Sequence, residues 1–551
     1  MDIKPELHSK LINTMSVMKT NRQPWWAHWR EMAEAYLPRR YVWLTSVREN
    51  NGLNRNTKIL DSTATEAART LASGLMNGIT SPARPWFKLR IAGFSNDNAP
   101  ELSIWLEEVE RRMFTVFAES NFYNSLATLY LDLVVFGTAV MLIYEDRDSV
   151  IRCYNCALGE FYLAQDNRLE INEFGREIVR NAGQIVQQWG IENVSPGVKS
   201  AYKSNDGNRL QPFRIMHIIQ PNDTKDNLVP KSYKYREVYW EQGATKGKIL
   251  SAKGFNEMPG IFTRWETIGN ESYGSSPAMD AYGDFLQLQQ ETMTKAQGLE
   301  KQVKPPMIAD IALQHQPSAL VANGITYVSN INAVGMKPAY QVQLPIAELS
   351  ADIQQIQSRI RRTFHNDLFR MLSDLPTVRS ATEVEGLKEE KLVLLGPVLD
   401  RFKQEGLDPA INRTFNTMLR ANLLPPMPAG FENREIEVQY KSLLSVAQSS
   451  FSTIPTERFL AMVGQASALY PKAVNIPNIE NLLTAYAHDI GVSAAGVKTT
   501  DELDQLNEAA DQAAQSQQAL DAGSTLVDSA KQLSETNVGG GANALQAIIG
   551  G

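Results

Sequence analysis

Cysteine is nearly absent. Cys153 and Cys156 are the two in 551 residues, so no disulfide framework holds this fold together. Histidine is sparse as well. The six histidines are scattered, with His28 and His365 expected on helices, and no HExxH or paired Cys/His spacing joins them. That removes the usual zinc and metalloprotease readings, and no metal site and no cofactor are expected. No run of about eighteen apolar residues occurs, so no segment is expected to insert in a membrane. The opening Met1-Asp-Ile-Lys-Pro-Glu6 lacks the apolar core of a signal peptide, and synthesis in a reducing cytoplasm is expected. Positive charge is in deficit: 54 Lys and Arg against 61 Asp and Glu leave a net charge of −7. A protein that grips DNA non-specifically is usually basic, so that class is disfavoured. One that lets DNA pass without holding it is not.

Catalytic motifs are missing too. Gly243-Ala-Thr-Lys-Gly-Lys248 has the composition of a phosphate loop but not its spacing, and Ile249 follows the lysine where a hydroxyl residue is needed. A hairpin turn is the better reading. Cys153-Tyr-Asn-Cys156 has redox or zinc spacing, yet it lies in a strand-rich segment with no second pair nearby. Two ordinary thiols are expected. Glu107-Glu108 and Glu389-Glu390 read as solvated helix faces. Trp25, Trp26 and Trp29 read as packed core.

What is present is a long globular chain with 43% hydrophobic and 21% charged residues. Its length allows more than one core, so two to four structural regions are expected. The most informative stretch runs from Tyr273 to Glu385. It reads as two long helices flanking an insert of about forty residues. Ser276 and Pro277 suit the N-cap and first helical position, and Pro305-Pro306 stops the first helix. The second carries Ile346, Leu349, Ile353, Ile356, Ile360, Phe364 and Leu368 at steps of three and four, one narrow apolar seam. At 1.5 Å per residue each helix spans roughly 35–45 Å. Such a stalk with a narrow seam points to a subunit of an assembly. Ile353, Ile356, Ile360 and Phe364 are assigned to subunit or stem packing, with neighbouring copies as the expected contact.

The N-terminal part is expected to be helical, with an amphipathic pair over Leu7–Met18 and Trp25–Leu37 and a capping box at Thr63-Ala-Thr-Glu66. A short strand near Trp86, a helix from Pro100, and an apolar helix over Tyr123–Phe136 closed by Gly137 follow. From Thr138 the texture turns to short β-rich runs, and the class is α+β, predominantly helical. A capping box at Ser380-Ala-Thr-Glu383 opens a long helix that Gly396-Pro397 should kink. Glu435–Tyr440 alternates like a strand, and helices are expected at Ser445–Ser450, Thr456–Tyr470 and Ile479–Ile490. The Ala/Gln-rich tail after Thr500 is expected to be helical or disordered.

Five local patterns occur in order along residues 10 to 450. They are Trp26-x-x-Trp29-Arg30-x-x-Ala33-x-x-Tyr36-x-x-Pro38 with Leu60-Asp61-Ser62-Thr63-Ala64; Ser81-Pro82 with Trp86-Phe87-x-Leu89; Pro259-x-x-x-x-Arg264-Trp265 leading to Tyr273-Gly274-x-x-Pro277; Ser380-Ala381-Thr382-Glu383-Val384; and Val438-x-Tyr440-x-Ser442. Each is weak alone. In this order they resemble the portal, or head-to-tail connector, proteins of short-tailed T7-like bacteriophages.

That resemblance implies a portal-type fold assembled as a ring of about twelve subunits at the unique portal vertex of the virion. Residues 1–276 would be the wing, 277–304 and 346–369 the stem helices, and 305–345 the clip. Residues 370–379 would be the tunnel loop, 380–444 the long wing helix and returning strand, 445–500 the crown and 501–551 the tail. Double-stranded DNA would pass through the ring, pumped in by a terminase docked on the clip and later ejected, with tail adaptor proteins and the major capsid and scaffold proteins as further partners. The chain itself would be no enzyme.

Physical reasoning supports passage rather than grip, because each phosphate neutralised releases counterions and increases sticking. One cation per subunit becomes a ring of charge around an axis. Lys295, Lys301, Lys304, Arg359, Arg361 and Arg362 lie on the stem helices, and Arg370 and Arg379 flank the expected tunnel loop. These eight are the candidate DNA-channel residues; solvated faces or ion pairs between subunits are the plainer reading of each. A ring-forming scaffold or adaptor that conducts no DNA is the rival reading.

Overall fold

The computed structural model describes residues 2–44, 58–91, 100–204, 208–223, 227–243, 245, 247–304, 307–309, 336–338, 345–367, 395–428, 436–440, 459–465, 470, 482, 528 and 531. The expected tunnel loop, the start of the long wing helix and most of the clip, crown and tail lie outside them. The chain forms two compact units. The first comprises Met1–Phe87, Arg111–Leu424 and Tyr440–Gln448, the second Lys88–Glu110, Pro425–Gln439 and Ser449–Gly551.

The first unit mixes helix and sheet. Helix α1 spans Pro5–Tyr36, and a 3-10 turn, Pro38–Leu44, follows it. The expectation of two helices is corrected to one, with Pro24 inside it. Pro24 removes the amide that would bond the carbonyl of Thr20, but Thr20 is exposed and water can serve that carbonyl. Buried Leu11, Met15, Met18, Arg22, Trp29, Met32, Ala33 and Tyr36 make one continuous stripe through the proline. Arg22 lies on that stripe between the rings of Trp26 (4.5 Å) and Tyr162 (4.1 Å), donating to the carbonyls of Gly159 and Phe161. Its charge hides the period in the sequence.

Helix α2 spans Thr63–Ile79. Its start is not the expected Thr63/Glu66 box. Asp61 accepts from the Thr63 amide, and Ser62 bonds Glu66 through side chains. Strand β1 (Phe87–Ile91) and helix α3 (Pro100–Glu119) follow. Helix α4 (Phe122–Phe136) ends as expected at Gly137, whose φ of 72° is left-handed and whose amide bonds Leu133. A Cβ at Gly137 would stand 2.2 Å from the carbonyl oxygen of Gly274, so no other residue fits this crossing.

Strands β2 (Thr138–Asp146), β3 (Val150–Cys156), β4 (Phe161–Gln165), β5 (Ile171–Asn181), β6 (Pro212–Pro221), β7 (Tyr235–Glu241), β8 (Ser251–Phe255) and β9 (Gly260–Arg264) build two antiparallel sheets. Their orders are β3-β2-β9 and β4-β5-β6-β7-β8. Helices α5 (Ala182–Trp189) and α6 (Pro196–Lys203) cover one face of the larger sheet, packing Ile185, Val198 and Ala201 on Ile178, Ile215 and Tyr239. Helix α1 covers the other face with Leu11, Met15 and Met18 on Ile218, Val238 and Trp240. The alternation of the strands sends their side chains to both layers.

Beside α5 and α6 the first of these faces holds a buried polar cluster. Arg176 Nε donates to His217 Nδ1 at 2.9 Å, and His217 Nε2 meets Glu237 Oε1 at 2.8 Å. The imidazole is therefore neutral with its proton on Nε2, and burial pushes its pKa down to about 4. Burial alone would raise Glu237, but hydrogen bonds from His217, Tyr144 and Tyr239 hold it below its ordinary value. Cys153 and Cys156 are free and buried, and burial pushes their thiols up to about 12 and about 11. Residues three apart on a strand face opposite ways, so this pair clamps nothing. The Gly243–Lys248 segment joins antiparallel β7 to β8, and the amide and carbonyl of Gly247 bond His8 and Ile3.

Helix α7 (Pro277–Asp280), helix α8 (Tyr282–Val303), strands β10 (Met307–Ala309) and β11 (Met336–Pro338), and helix α9 (Ile346–Thr363) follow. A helical stretch at 395–402 widens into a π turn at Lys403–Leu407 and continues as α10, Asp408–Arg420. The irregularity thus lies beyond the expected Gly396-Pro397. Pro409 has no amide for the carbonyl of Glu405, and Gly406 sits where a Cβ would be 2.8 Å from Thr263 Cγ2. In the second unit β1 pairs with β12, Ile436–Tyr440, as the alternation there predicts.

Asp132 of α4 carries a costly buried charge. It meets Arg40 at 3.2 Å, yet burial pushes its carboxyl from 3.8 up to about 6. The cost of the charged form is present above that pH and disappears as the pH falls below 4. A shift of this size corresponds to about 3 kcal/mol. Asp132→Asn should therefore stabilise the chain in urea unfolding at about pH 7.5, by up to that amount. Its advantage should vanish near pH 4.

Candidate functional site

The two helices expected to form the stem, called the stem below, are seated by contacts around the Tyr273–Pro277 turn. Tyr273 lies edge-on to Trp29 (5.1 Å) and its hydroxyl accepts from the Leu163 amide. Gly274 donates to Thr138 Oγ1 at 2.8 Å. Ser276 Oγ donates to the Val135 carbonyl and accepts from the Met279 amide, so the expected N-cap is present. The first stem helix is not continuous. Ala281 (φ −81°, ψ 0°) separates α7 from α8.

Helices α8 and α9 run antiparallel. Near the start of α8 Arg359 meets Asp284 at 3.0 Å and Gln287 at 3.1 Å, and further along Lys295 donates to Ser350 at 2.8 Å. With 22 and 18 residues they span about 33 and about 27 Å, shorter than the sequence implies. Beyond them β10 and β11 pair, Met307 opposite Pro338. This ribbon is the described part of the expected clip.

The apolar seam of α9 is consumed inside the chain. Ile353 is 8% exposed, and Ile356, Ile360 and Phe364 are fully buried. α9 packs on α8 and α2. Tyr36, at the end of α1, is the wedge: its ring contacts Phe285 of α8 (5.6 Å) and Phe364 (5.8 Å), and its hydroxyl donates to the Ala278 carbonyl. The expectation that this seam meets neighbouring copies is corrected to packing within the stem. What the stem leaves outside is on α8, where Leu286 (50%) and Met293 (51%) lie on one stripe with Gln290.

Asp61 ties the pair to α2. Its amide and that of Leu60 donate to Gln289 Oε1, Gln289 Nε2 donates back to its carbonyl, and Gln357 donates to its carboxylate at 2.8 Å. Burial alone would raise this carboxyl, but bonds from Thr63 and Gln357, with Arg361 nearby, hold it below its ordinary value. Sequence reasoning quoted Asp61 in a pattern without giving it a role. Gln289 and Gln357 carry no sequence signal.

The candidate channel cations divide. Lys295 and Arg359 are held between the helices, and Arg361 is half-buried beside Asp61. Lys301, Lys304 and Arg362 are exposed without an ion-pair partner among the described residues. The first two lie at the C-terminal end of α8 and the last at the C-terminal end of α9. Arg370 and Arg379 lie outside the described residues. Among the described residues, no group of three His, Cys, Asp or Glu side chains is placed to hold a metal ion. No described helix is long and apolar enough to cross a membrane.

The quoted patterns that lie among the described residues thus fall on packing nodes; residues 380–384 and Ser442 lie outside those residues. Trp86 stacks on Tyr440 (6.5 Å, 15°), whose ring lies under Lys403. A family profile described as bacteriophage head to tail connecting protein matches residues 8–497. The portal protein of Salmonella phage epsilon15 is 36% identical over 532 residues, 96% of this chain and 95% of its own length. A probable portal protein of Bordetella phage BPP-1 is 33% identical over 541 residues, 96% and 97% of the two chains.

Ile356 tests the corrected seam. Ile356→Ala should cost about 2–5 kcal/mol in denaturant unfolding of the chain. A cost below about 0.5 kcal/mol, the surface value, would mean the seam is not buried in the single chain.

Proposed function

The chain belongs to the bacteriophage head-to-tail connecting protein family, and on that premise we propose that it forms the DNA channel at one capsid vertex. About twelve copies would close into a ring. Genomic DNA would enter through it during packaging, driven by a terminase, and leave through it on infection. The observation that carries this reading is the likeness to portal proteins over nearly the whole length of both chains. The role is that of a conduit, and neither relative is named for an enzymatic activity.

The stem geometry supports the reading. With the α9 seam closed inside the chain, α8 offers neighbours a stripe of isolated apolar side chains among glutamines. That suits helices that must slide against one another more than a permanent greasy interface. The exposed Lys301, Lys304 and Arg362 are few per subunit, so a ring of them gives shallow bands of positive charge and not a phosphate grip. The 305–345 clip would dock the terminase and then the tail adaptors, and the 370–379 loop would face DNA. Capsid and scaffold proteins would surround the wing in the virion, after synthesis in the host bacterium.

Deleting residues 372–378 should leave ring assembly intact and lower the DNA retained per particle severalfold, measured by nuclease-protected DNA in a packaging reaction with the cognate terminase. Normal retention in that variant would remove the loop from the channel. Absence of protected DNA with the parent chain, in rings that form, would favour the scaffold reading.

A further inference from the structure

The outward faces of the two stem helices differ in size and charge. On α8 the exposed stripe opposite buried Phe285 and Leu288 carries Leu286 (50%), Gln290, Met293 (51%), Gln297 and Lys301. On α9 the exposed stripe opposite buried Ile353, Ile356 and Ile360 carries Glu348, Ala351, Gln355 and Ser358. Both stripes step by three and four residues, as one helix face must. The two large apolar side chains of α8 and the two small ones of α9 thus recur at the same two-turn interval.

Contacts inside one chain fix the levels. Lys295 donates to Ser350, and Arg359 to Gln287. In this antiparallel pair the same offset sets Met293 level with Ala351, Leu286 with Ser358, Gln290 with Gln355 and Gln297 with Glu348, each to within about one residue, roughly 1.5 Å. These level pairs do not meet within one chain. Their stripes face away from each other, with both helices, each about 10 Å across, between them.

Given the ring proposed above, we propose that α8 of each copy packs on α9 of the next in this register. Rotation about an axis along the stem keeps every residue at its height, so level residues of successive copies come face to face. Met293 and Leu286 enter the spaces over Ala351 and Ser358 of the next copy, large side chains into small positions. Gln290 and Gln355 bond between them. Lys301 lies one turn beyond Gln297, and helical side chains lean toward their own N-terminus. Lys301 therefore leans back to the level of Gln297, and Glu348 of the next copy leans up to meet it. Neither has an ion-pair partner among the described residues of its own chain. The contact is head-to-tail, as a ring of more than two copies requires. Two α8 faces could meet only about a two-fold axis, which stops at a dimer. Lys301 is neutralised at each contact, which leaves the bands of positive charge to Lys304 and Arg362.

Cysteines test the register on the full chain. Met293→Cys with Ala351→Cys, oxidised with copper phenanthroline and run on a denaturing gel without reductant, should give a ladder of linked copies that reductant collapses to one band. Met293→Cys with Ser358→Cys moves one thiol about 10 Å along α9 and should link several times less. The parent chain, whose Cys153 and Cys156 are buried, should not link. Dimers from Met293→Cys alone would overturn the head-to-tail contact, and equal or stronger linking of the Ser358 pair would overturn the register. Rings seen by native mass spectrometry with no link from the Ala351 pair would overturn this packing and leave the ring standing. Chains that form no ring, alone or co-expressed with capsid and scaffold proteins, would overturn both.

Discussion

Arg264 uses all five of its guanidinium donors. Nε and one Nη2 donor go to Glu405, the other Nη2 donor to the Leu169 carbonyl, and the two on Nη1 to Gln165 Oε1 and the Glu271 carbonyl. Its own amide also donates to Glu405 at 2.9 Å. The side chain is 6% exposed and Glu405 20%. One residue at the end of β9 thereby joins the smaller sheet, the β4–β5 turn, the loop that leads to the stem, and the π turn ahead of α10. An ion pair this deep has a large desolvation cost, and it persists because every donor is matched. The π turn follows from it: Glu405 must reach β9, Gly406 must lie flat against Thr263, and Pro409 frees the helix from its regular ladder.

The same economy appears at the stem. Tyr36 closes α1 against both stem helices, Asp61 binds α2 to both, and the Gly137–Gly274 crossing holds the Tyr273–Pro277 turn on the end of α4. The stem is thus a finished part of the single chain and does not need neighbours to bury its core. Neighbours in a ring would meet a more polar surface, with Leu286, Met293 and Val303 as apolar points among the described residues.

Much of this was legible. The α4 helix and its Gly137 cap, most of the strands, and the Ser276-Pro277 start stand in the residues themselves because each depends on a local backbone rule. Elements that depend on distant partners were not. α1 reads as two helices because Arg22 and Pro24 interrupt its stripe, and only Trp26 and Tyr162 show why the arginine belongs there. β8, Ser-Ala-Lys-Gly-Phe, has little strand propensity and exists by pairing with β7. α6 had a readable signal in Ser195-Pro196, with Ser195 accepting from Val198, masked by Gly197. The α9 seam was legible as a seam, but periodicity does not say whose side chains cover it. Glu405 is one acid among 61 Asp and Glu, and nothing nearby in sequence points to Arg264.

The central claim is that this self-contained subunit closes into a ring around an axial hole. Native mass spectrometry of the purified full chain, with negative-stain imaging of the same sample, tests it most directly. The account predicts a closed species of about twelve copies with a central pore. A monomer or dimer without a pore, unchanged across salt and protein concentration and on co-expression with the capsid and scaffold proteins, would contradict it.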